Sequence, residues 1–219
     1  MLNTSHRVDD YLTQIFKLDD PVFKTTEESI RFHNMPEHSV SPVQGQFLST
    51  LVHTCLAKRI VEIGTLGGYS TIWLARALPE NGSLVSIEID PNYAEVARHN
   101  LKKAGVLDRV EVLTGNALEI LPLLEVNSEP ADLLFMDADK ANYVKYFNWG
   151  VKVGRKGGLI VADNVIREGK ILDTESRDEK VIGVQNYLEM LAKSTLVHSS
   201  ILQTVGAKGY DGMAVSVIR

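Results

Sequence analysis

Residues 60–71 read Ile-Val-Glu-Ile-Gly-Thr-Leu-Gly-Gly-Tyr-Ser-Thr, and this stretch decides the fold. Residues 60–63 predict a short buried strand, and residues 70–78 predict a helix with Leu74, Ala77 and Leu78 facing inward. Between them lies a glycine-rich turn, where a ligand can approach backbone N–H groups at the start of the helix. The stretch therefore predicts a strand–turn–helix unit that can bind a ligand.

The same alternation of short apolar runs and amphipathic segments continues along the chain. Strands are predicted at residues 60–63, 84–87, 110–113, 133–136 and 159–162, helices at residues 70–78, 91–104, 117–124, 141–151 and 181–191, and a final strand pair at residues 195–203 and 213–218, joined through Gly206, Gly209 and Gly212. Strands without polar alternation, separated by helices, indicate a parallel sheet covered on both faces. Because crossovers between parallel strands are right-handed, we predict a doubly wound α/β fold with a mostly parallel sheet.

The first forty residues have a different pattern. Val8, Leu12 and Ile15 suggest one helix and residues 27–33 a second, with no strand between them. We therefore predict a single domain over residues 1–219, with a helical extension at 1–40 and an α/β core at 41–219. The extension is expected to pack on the core or on a second subunit.

Composition excludes several classes of protein. With 23 basic and 28 acidic residues the formal net charge is −5, which argues against nucleic acid or an anionic membrane as a partner. The single cysteine, Cys55, rules out an intramolecular disulfide and a cysteine-rich zinc site, and its apolar neighbours predict a packing role. No signal peptide or membrane span is seen, so we expect a cytoplasmic protein.

The glycine turn is followed by an acidic residue at the end of the second strand. Leu66 occupies the second glycine position of the dinucleotide-binding fingerprint, which argues against a nicotinamide cofactor. Asp90, followed by Pro91, is best placed to cap the next helix, which leaves Glu88 to accept hydrogen bonds from ribose hydroxyls. The alternative is an ordinary turn and a solvated strand end. The combination favours a nucleoside ligand, whose adenine the small residues 115–117 could admit.

Two later strands end in acidic residues. Asp137 follows the fourth strand, and Asp163 and Asn164 follow the fifth, so their side chains should meet at the carboxyl edge of the sheet. Two carboxylates and an amide oxygen suit a hard cation, with Mg²⁺ expected and Ca²⁺ or Mn²⁺ as alternatives. One turn beyond Asp137, Lys140 would reach the same place. The alternative is that these residues cap helices and that Lys140 lies on the surface.

Together these segments resemble a known family. Residues 61–71, 87–90 (Ile-Glu-Ile-Asp), 135–140 (Phe-Met-Asp-Ala-Asp-Lys) and 162–165 (Ala-Asp-Asn-Val) are similar to motifs of the cation-dependent O-methyltransferases of the catechol and caffeoyl-CoA type. Residues 40–46, with Val-Ser-Pro and then Gly-Gln, match the segment before the core of that family. The similarity extends from about His38 to the C-terminus. It implies a Rossmann-like methyltransferase sheet of seven strands with helices on both faces.

The resemblance also implies roles for individual residues. An S-adenosylmethionine site would be lined by Val40, Glu62, Gly64, Ser70, Glu88, Ala117 and Asp137, with Glu88 on the ribose. The metal ligands would be Asp137, Asp163 and Asn164, and Lys140 matches the lysine regarded as the general base, so that Lys140 and Asp137 form the catalytic pair. The implied substrate is a small phenol with vicinal hydroxyls, such as a catechol or a caffeoyl compound, and the implied assembly is a homodimer.

The sequence also departs from the family pattern. Ala138 and Asp139 stand where the catechol enzymes carry His and Trp, and residues 166–180 are rich in charge and lack aromatic side chains. Three other hypotheses stay open at this stage. They are a metal-independent N- or C-methyltransferase, a nucleotide-binding dehydrogenase, and a protein that binds the methyl donor without catalysis.

Overall fold

The fold was obtained as a computed structural model, which describes residues 2–125 and 129–219. The strands are β1 Arg59–Ile63, β2 Ser83–Glu88, β3 Val110–Thr114, β4 Ala131–Met136, β5 Gly154–Asp163, β6 Val197–Gly206 and β7 Gly209–Ile218. The helices are α1 Leu2–Ile15, α2 Pro21–Phe32, α3 Pro42–Thr54, α4 Tyr69–Ala77, α5 Pro91–Lys103, α6 Ala117–Glu125, α7 Tyr143–Val153 and α8 Glu179–Lys193. Short 3₁₀ turns occupy Leu107–Arg109, Lys140–Asn142 and Arg167–Leu172.

The seven strands form one sheet in the order β3-β2-β1-β4-β5-β7-β6. Strands β1 to β5 run parallel, and β7 lies antiparallel between β5 and β6. The chain moves outward from β1 to β3 and then crosses back to β4, so the sheet is doubly wound, as predicted. The crossover creates a crevice at the carboxyl ends of the parallel strands, where ligands bind in sheets of this kind.

Consecutive residues of the central strands face two separate cores. Ile60 and Leu133 belong to the core on one face of the sheet, and Val61 and Leu134 belong to the core on the other. All four side chains are at most 2% exposed. Burial on both faces explains why these strands show no polar alternation in the sequence.

The final strand pair differs from its prediction in one respect. The predicted connection through three glycines is wrong, because only Ala207 and Lys208 separate β6 from β7 and Gly212 lies inside β7. A side chain at Gly212 would overlap Ile166, so this glycine permits close packing of the loop after β5.

The N-terminal helices pack against both ends of the core. Phe23 of α2 stacks on Trp73 of α4 with ring centroids 4.3 Å apart, while α1 contacts α3 and β6. The helix predicted at residues 27–33 begins earlier, at Pro21, where the Asp20 side chain accepts a hydrogen bond from Val22 N. Cys55 is buried, and burial raises the pKa of its thiol, which agrees with a packing role.

Helix starts follow the local signals. The Asp90 carboxylate accepts hydrogen bonds from Asn92 N and Tyr93 N, with Pro91 as the first residue of α5, as predicted. Within the described part of the chain, no helix combines the length and the apolar character needed to cross a bilayer.

Candidate active site

A cleft of about 1060 Å³ runs along the carboxyl edge of the sheet. Each of the five parallel strands contributes a residue at or just after its end: Gly64, Glu88, Gly115, Asp137 and Asp163. We call the part near Gly64, Leu66, Glu88, Ile89 and Ala117 the β1–β3 half. We call the part near Asp9, Arg167, Lys180, Lys208 and Asp211 the hairpin half.

The glycine turn after β1 approaches β4 closely. A Cβ at Gly64 would overlap the carbonyl of Asp137, and its φ of 100° lies in the region that favours glycine. Gly68 precedes α4 with a φ of 84°, and no side chain caps this helix. The first N–H groups of α4 are therefore available to an anionic group in the cleft, as the sequence predicts.

Glu62 lies behind the cleft wall rather than in it. Its carboxylate is fully buried and accepts hydrogen bonds of 2.6 Å from the hydroxyls of Ser70, Thr71 and Ser86. Burial raises the pKa of Glu62 to about 7, against the opposing effect of those hydrogen bonds. Since Ser70 donates its proton to Glu62, its hydroxyl faces the cleft only as an acceptor. Glu62 itself does not line the cleft, and its predicted role in the ligand site stays a prediction.

Glu88 is anchored, where the sequence suggested a free carboxylate. One oxygen accepts a hydrogen bond from Leu66 N at 2.7 Å and the other from Asp90 N at 3.1 Å. Each carboxylate oxygen can accept a second hydrogen bond, so the side chain is fixed in direction without losing its capacity to bind hydroxyls. The exposed apolar side chain of Ile89, which lines the cleft next to it, was missed.

The ends of β4 and β5 bring the predicted acidic residues to the middle of the cleft. Lys140 Nζ donates to Asp137 Oδ1 at 2.7 Å, and Asp163 Oδ1 accepts from Asn164 N at 2.7 Å. Asp163 is only 2% exposed. Its burial, together with the nearby Asp137 carboxylate, raises the pKa of Asp163 to about 7. Lys140 pairs with Asp137, whereas Asp163 forms no ion pair with any described residue.

Tyr143 holds these two strand ends together, and sequence reasoning missed it. Its buried hydroxyl lies 2.8 Å from the carbonyl oxygen of Asp163 and 3.1 Å from that of Met136, the residue before Asp137. Lys140 Nζ lies 5.1 Å from the centre of the Tyr143 ring, within the range of a cation–π contact. Only a pattern of three-dimensional contacts reveals this role, because the sequence shows just a tyrosine at the start of a helix.

The hairpin half is assembled from distant parts of the chain. Asp9 on α1 accepts a hydrogen bond from Ala207 N at 2.7 Å, at the tip of the β6–β7 hairpin. Asp211 Oδ1 accepts from the backbone N–H groups of Ile166 and Arg167, each at 2.9 Å, and so fixes the loop after β5.

Comparison with known proteins places the chain in a family. Residues 15–216 match a family model described as O-methyltransferase. This chain belongs to that O-methyltransferase family. It is 47% identical over 213 residues to a catechol O-methyltransferase of Niastella koreensis (97% of this chain, 96% of the relative) and 44% identical to one of Mycobacterium tuberculosis (97% and 95%). A solved O-methyltransferase of Bacillus cereus in complex with SAH is 44% identical and superimposes with a TM-score of 0.98, covering all of both chains.

In this O-methyltransferase, the cleft gathers nearly all the residues predicted from the sequence. The lining includes Val40, Gly64, Ser70, Glu88, Ala117, Asp137, Lys140, Asp163 and Asn164, and Glu62 alone lies outside it. The predicted metal site has few acidic ligands. No cluster of three or more His, Cys, Asp or Glu that could hold an ion occurs in residues 2–125 and 129–219. The predicted set consists of two acids and one amide.

Proposed function

We propose that this enzyme transfers the methyl group of S-adenosylmethionine to one of two vicinal hydroxyls on a phenolic small molecule, with a divalent cation held by Asp137, Asp163 and Asn164. The observation that carries the proposal is the buried Asp163 carboxylate beside Asp137 at the centre of the cleft. A vicinal diol offers two oxygens to one cation. The catechol acceptors named for two relatives agree with this choice.

The β1–β3 half has the features that the methyl donor requires. The uncapped start of α4 suits the methionine carboxylate, and Glu88 has acceptor positions for the ribose hydroxyls. Ile89 supplies an apolar surface for the adenine ring. The complex of the Bacillus cereus relative with SAH, the product of the donor, supports this assignment.

The residues at the ends of β4 and β5 fit a cation. Two neighbouring carboxylates, one of them almost fully buried, repel each other unless a proton or a cation compensates their charge. The donor set contains only oxygen, which suits Mg²⁺ in particular, with Ca²⁺ or Mn²⁺ as alternatives. A bound cation would supply Lewis acidity that lowers the pKa of an acceptor hydroxyl.

Lys140 is the proposed proton acceptor. It lies next to Asp137 with only 8% of its side chain exposed, so water competes little for its amine. As the acceptor oxygen forms its bond to the methyl carbon, the carbon–sulfur bond breaks and its electron pair stays on sulfur. Before this step Lys140 releases to solvent the proton that it now donates to Asp137, and its free amine then takes the hydroxyl proton. Asp137 positions the lysine throughout.

A cation-independent O-methyltransferase is the second candidate, and one contact favours it. The Lys140–Asp137 ion pair already neutralises one of the two acids without a metal. Chelation distinguishes the two candidates, because only the first requires an added ion.

The test is methyl transfer from labelled S-adenosylmethionine to catechol and to phenol, with and without a chelator. We expect methylation of catechol, little methylation of phenol, loss of activity in the chelator and recovery with excess Mg²⁺. Undiminished catechol methylation in the chelator would remove the cation from the proposal and favour the second candidate. Methylation of phenol at the same rate as methylation of catechol would remove the requirement for a vicinal diol from the proposal.

We also propose that the enzyme is a homodimer, as the resemblance implies. Three apolar residues of α1, Val8, Tyr11 and Ile15, are between 49% and 60% exposed and recur at helical spacing on one face. Light scattering at micromolar concentration should give twice the mass of 24.3 kDa. A monomer under those conditions would contradict the proposal.

A further inference from the structure

Three cationic side chains of the hairpin half have no partner among the described residues. Arg167, Lys180 and Lys208 line the cleft, and none of them forms an ion pair or a side-chain hydrogen bond with the described residues. The fourth cation of the cleft, Lys140, differs because it is paired with Asp137. Unpaired cations that border a ligand cleft are candidates for recognising charge on the ligand.

Six acidic residues that line the cleft with them each accept a hydrogen bond from a protein donor. Three of them accept from backbone N–H groups: Asp9 from Ala207, Asp163 from Asn164, and Asp211 from the loop after β5. The other three accept from side chains: Glu37 from Arg31, Asp137 from Lys140, and Asp139 from Tyr146. The charged groups of this half are therefore asymmetric. Each of these acids is held in place by a protein donor, whereas the three cationic side chains have no acceptor among the described residues.

Arg167 is the best positioned of these cations. It adopts φ of 55° in a strained turn with Glu168 at φ of 58°, and Asp211 holds its backbone N–H in place. Its Nε is buried and finds no hydrogen-bond partner in the part of the chain that the structure describes. A buried unsatisfied donor and a strained backbone both cost free energy, and both tend to occur where a ligand completes the site.

The strand order places these cations on the side of the acceptor. In the proposed function the methyl donor lies at the ends of β1 to β3. The loop after β5, the start of α8 and the β6–β7 hairpin lie on the other side of Asp137 and Asp163. A group that extends from the acceptor ring away from the donor reaches Arg167, Lys180 or Lys208.

We propose that the natural acceptor carries an anionic group, of the carboxylate class, and that Arg167 binds it with help from Lys180 and Lys208. This inference rests on the proposed function and narrows its substrate class from phenols in general to anionic catechols. Guanidinium matches a carboxylate with two parallel hydrogen bonds, which is why Arg167 is assigned the main contact. Lys180 and Lys208 are exposed and add attraction from the rim.

The test compares acceptors that differ only in charge. The probes are 3,4-dihydroxybenzoate, its neutral amide, and 3,4-dihydroxybenzylamine, together with the carboxylate and amide of the longer dihydroxycinnamoyl series. We expect kcat/KM for the better of the two carboxylates to exceed that of its amide about tenfold, the usual size of a hydrogen bond to a charged group. The amine should be the poorest substrate.

Variants assign the effect to Arg167. Arg167→Gln should reduce the carboxylate-to-amide ratio at least about fivefold, and Arg167→Lys should restore part of it. Lys170→Gln is the matched control, because Lys170 lies in the same loop, pairs with Glu168 and does not line the cleft. This control should keep the wild-type ratio.

Two outcomes would overturn the proposal. One is equal kcat/KM for carboxylate and amide in both series, or a preference for the amine. The other is an unchanged ratio in Arg167→Gln. If no catechol is methylated, the proposed function fails. In that case the affinities of the carboxylate and the amide are measured by calorimetry with SAH and Mg²⁺ present. An affinity for the carboxylate about tenfold higher than for the amide supports the anionic preference, and equal affinities overturn it.

Discussion

The two halves of the cleft are built in different ways. In the β1–β3 half the contacts span few positions of the chain: Glu62 binds Ser70 and Thr71, 8 and 9 positions away, and Glu88 binds Asp90 and Leu66, 2 and 22 positions away. In the hairpin half, Asp9 contacts a residue 198 positions away and Asp211 a loop about 45 positions away. Because the contacts of the hairpin half join distant parts of the chain, we expect a change there to move the proposed acceptor side of the cleft and leave the donor side in place. Changes in the first half should cost stability, and changes in the second should alter substrate selection.

The largest effect is expected at the boundary between the halves. Asp163→Ala should lower kcat/KM at least about 100-fold, the size typical for removing a group that stabilises developing charge, because the proposed cation would lose a ligand. Affinity for SAH, measured by calorimetry, should stay within about twofold. Asp173→Ala is the control, since Asp173 is exposed and lies outside the cleft. Retention of full activity in Asp163→Ala would show that this carboxylate takes no part in the reaction.

A change of stability with pH should mark the β1–β3 half. Burial raises the pKa of Glu62 from 4.5 to about 7, so the folded protein holds this proton more tightly than the unfolded chain. The stabilising contribution is complete below pH 4.5 and is lost as the pH rises through about 7. Between pH 4 and pH 8 the wild type should lose about 3 kcal/mol of unfolding free energy more than Glu62→Gln.

Urea unfolding at the two pH values measures this difference. Glu175→Gln, at an exposed acid, should follow the wild type, because that carboxyl lies in solvent. Equal pH dependence in the wild type and Glu62→Gln would contradict a raised pKa of Glu62 in the folded protein.

A smaller effect is expected from the tyrosine that joins β4 and β5. Tyr143→Phe removes the hydroxyl that bonds the carbonyls of Met136 and Asp163, at a cost of about 1 kcal/mol. The Mg²⁺ concentration for half-maximal activity should rise about fivefold, with a parallel loss of Mn²⁺ affinity by calorimetry. Tyr210→Phe, which loses a hydroxyl bonded to Gln203 on the exposed hairpin, should not change metal affinity. A uniform loss of kcat without a change in metal affinity would contradict a positioning role.

The smallest effect is expected in the hairpin half. Asp9→Ala leaves Ala207 N without its acceptor and loosens the hairpin tip, so KM for the acceptor should rise about threefold. The melting temperature and SAH affinity should change little. Asp10→Ala on the exposed side of α1 is the control. A large drop in melting temperature for Asp9→Ala would remove the contrast between the halves.

The sequence predicts the β1–β3 half better than the hairpin half, and the reason is physical. Asp90 and Pro91 predict the start of a helix, because capping depends on residues that are neighbours in sequence. The ends of β4 and β5 can also be predicted, because the sequence changes abruptly from apolar to polar at Asp137 and at Asp163. The bond from Leu66 N to Glu88 depends on how two strands pair. So does the role of Tyr143, whose hydroxyl partners lie 7 and 20 positions away. Arg167 cannot be told apart from the other basic residues in the sequence, because only the fold shows that it lines the cleft and that its Nε has no partner among the described residues.

The bond between Asp9 and Ala207 also sets an order of assembly during synthesis. The residues of the β1–β3 half lie between positions 64 and 117, so the ribosome delivers them early. In the hairpin half, Asp9 of α1 can bind Ala207 only after residue 207 has been translated and has folded back against α1. The contact that closes the hairpin half can therefore form only after nearly the whole chain has been translated.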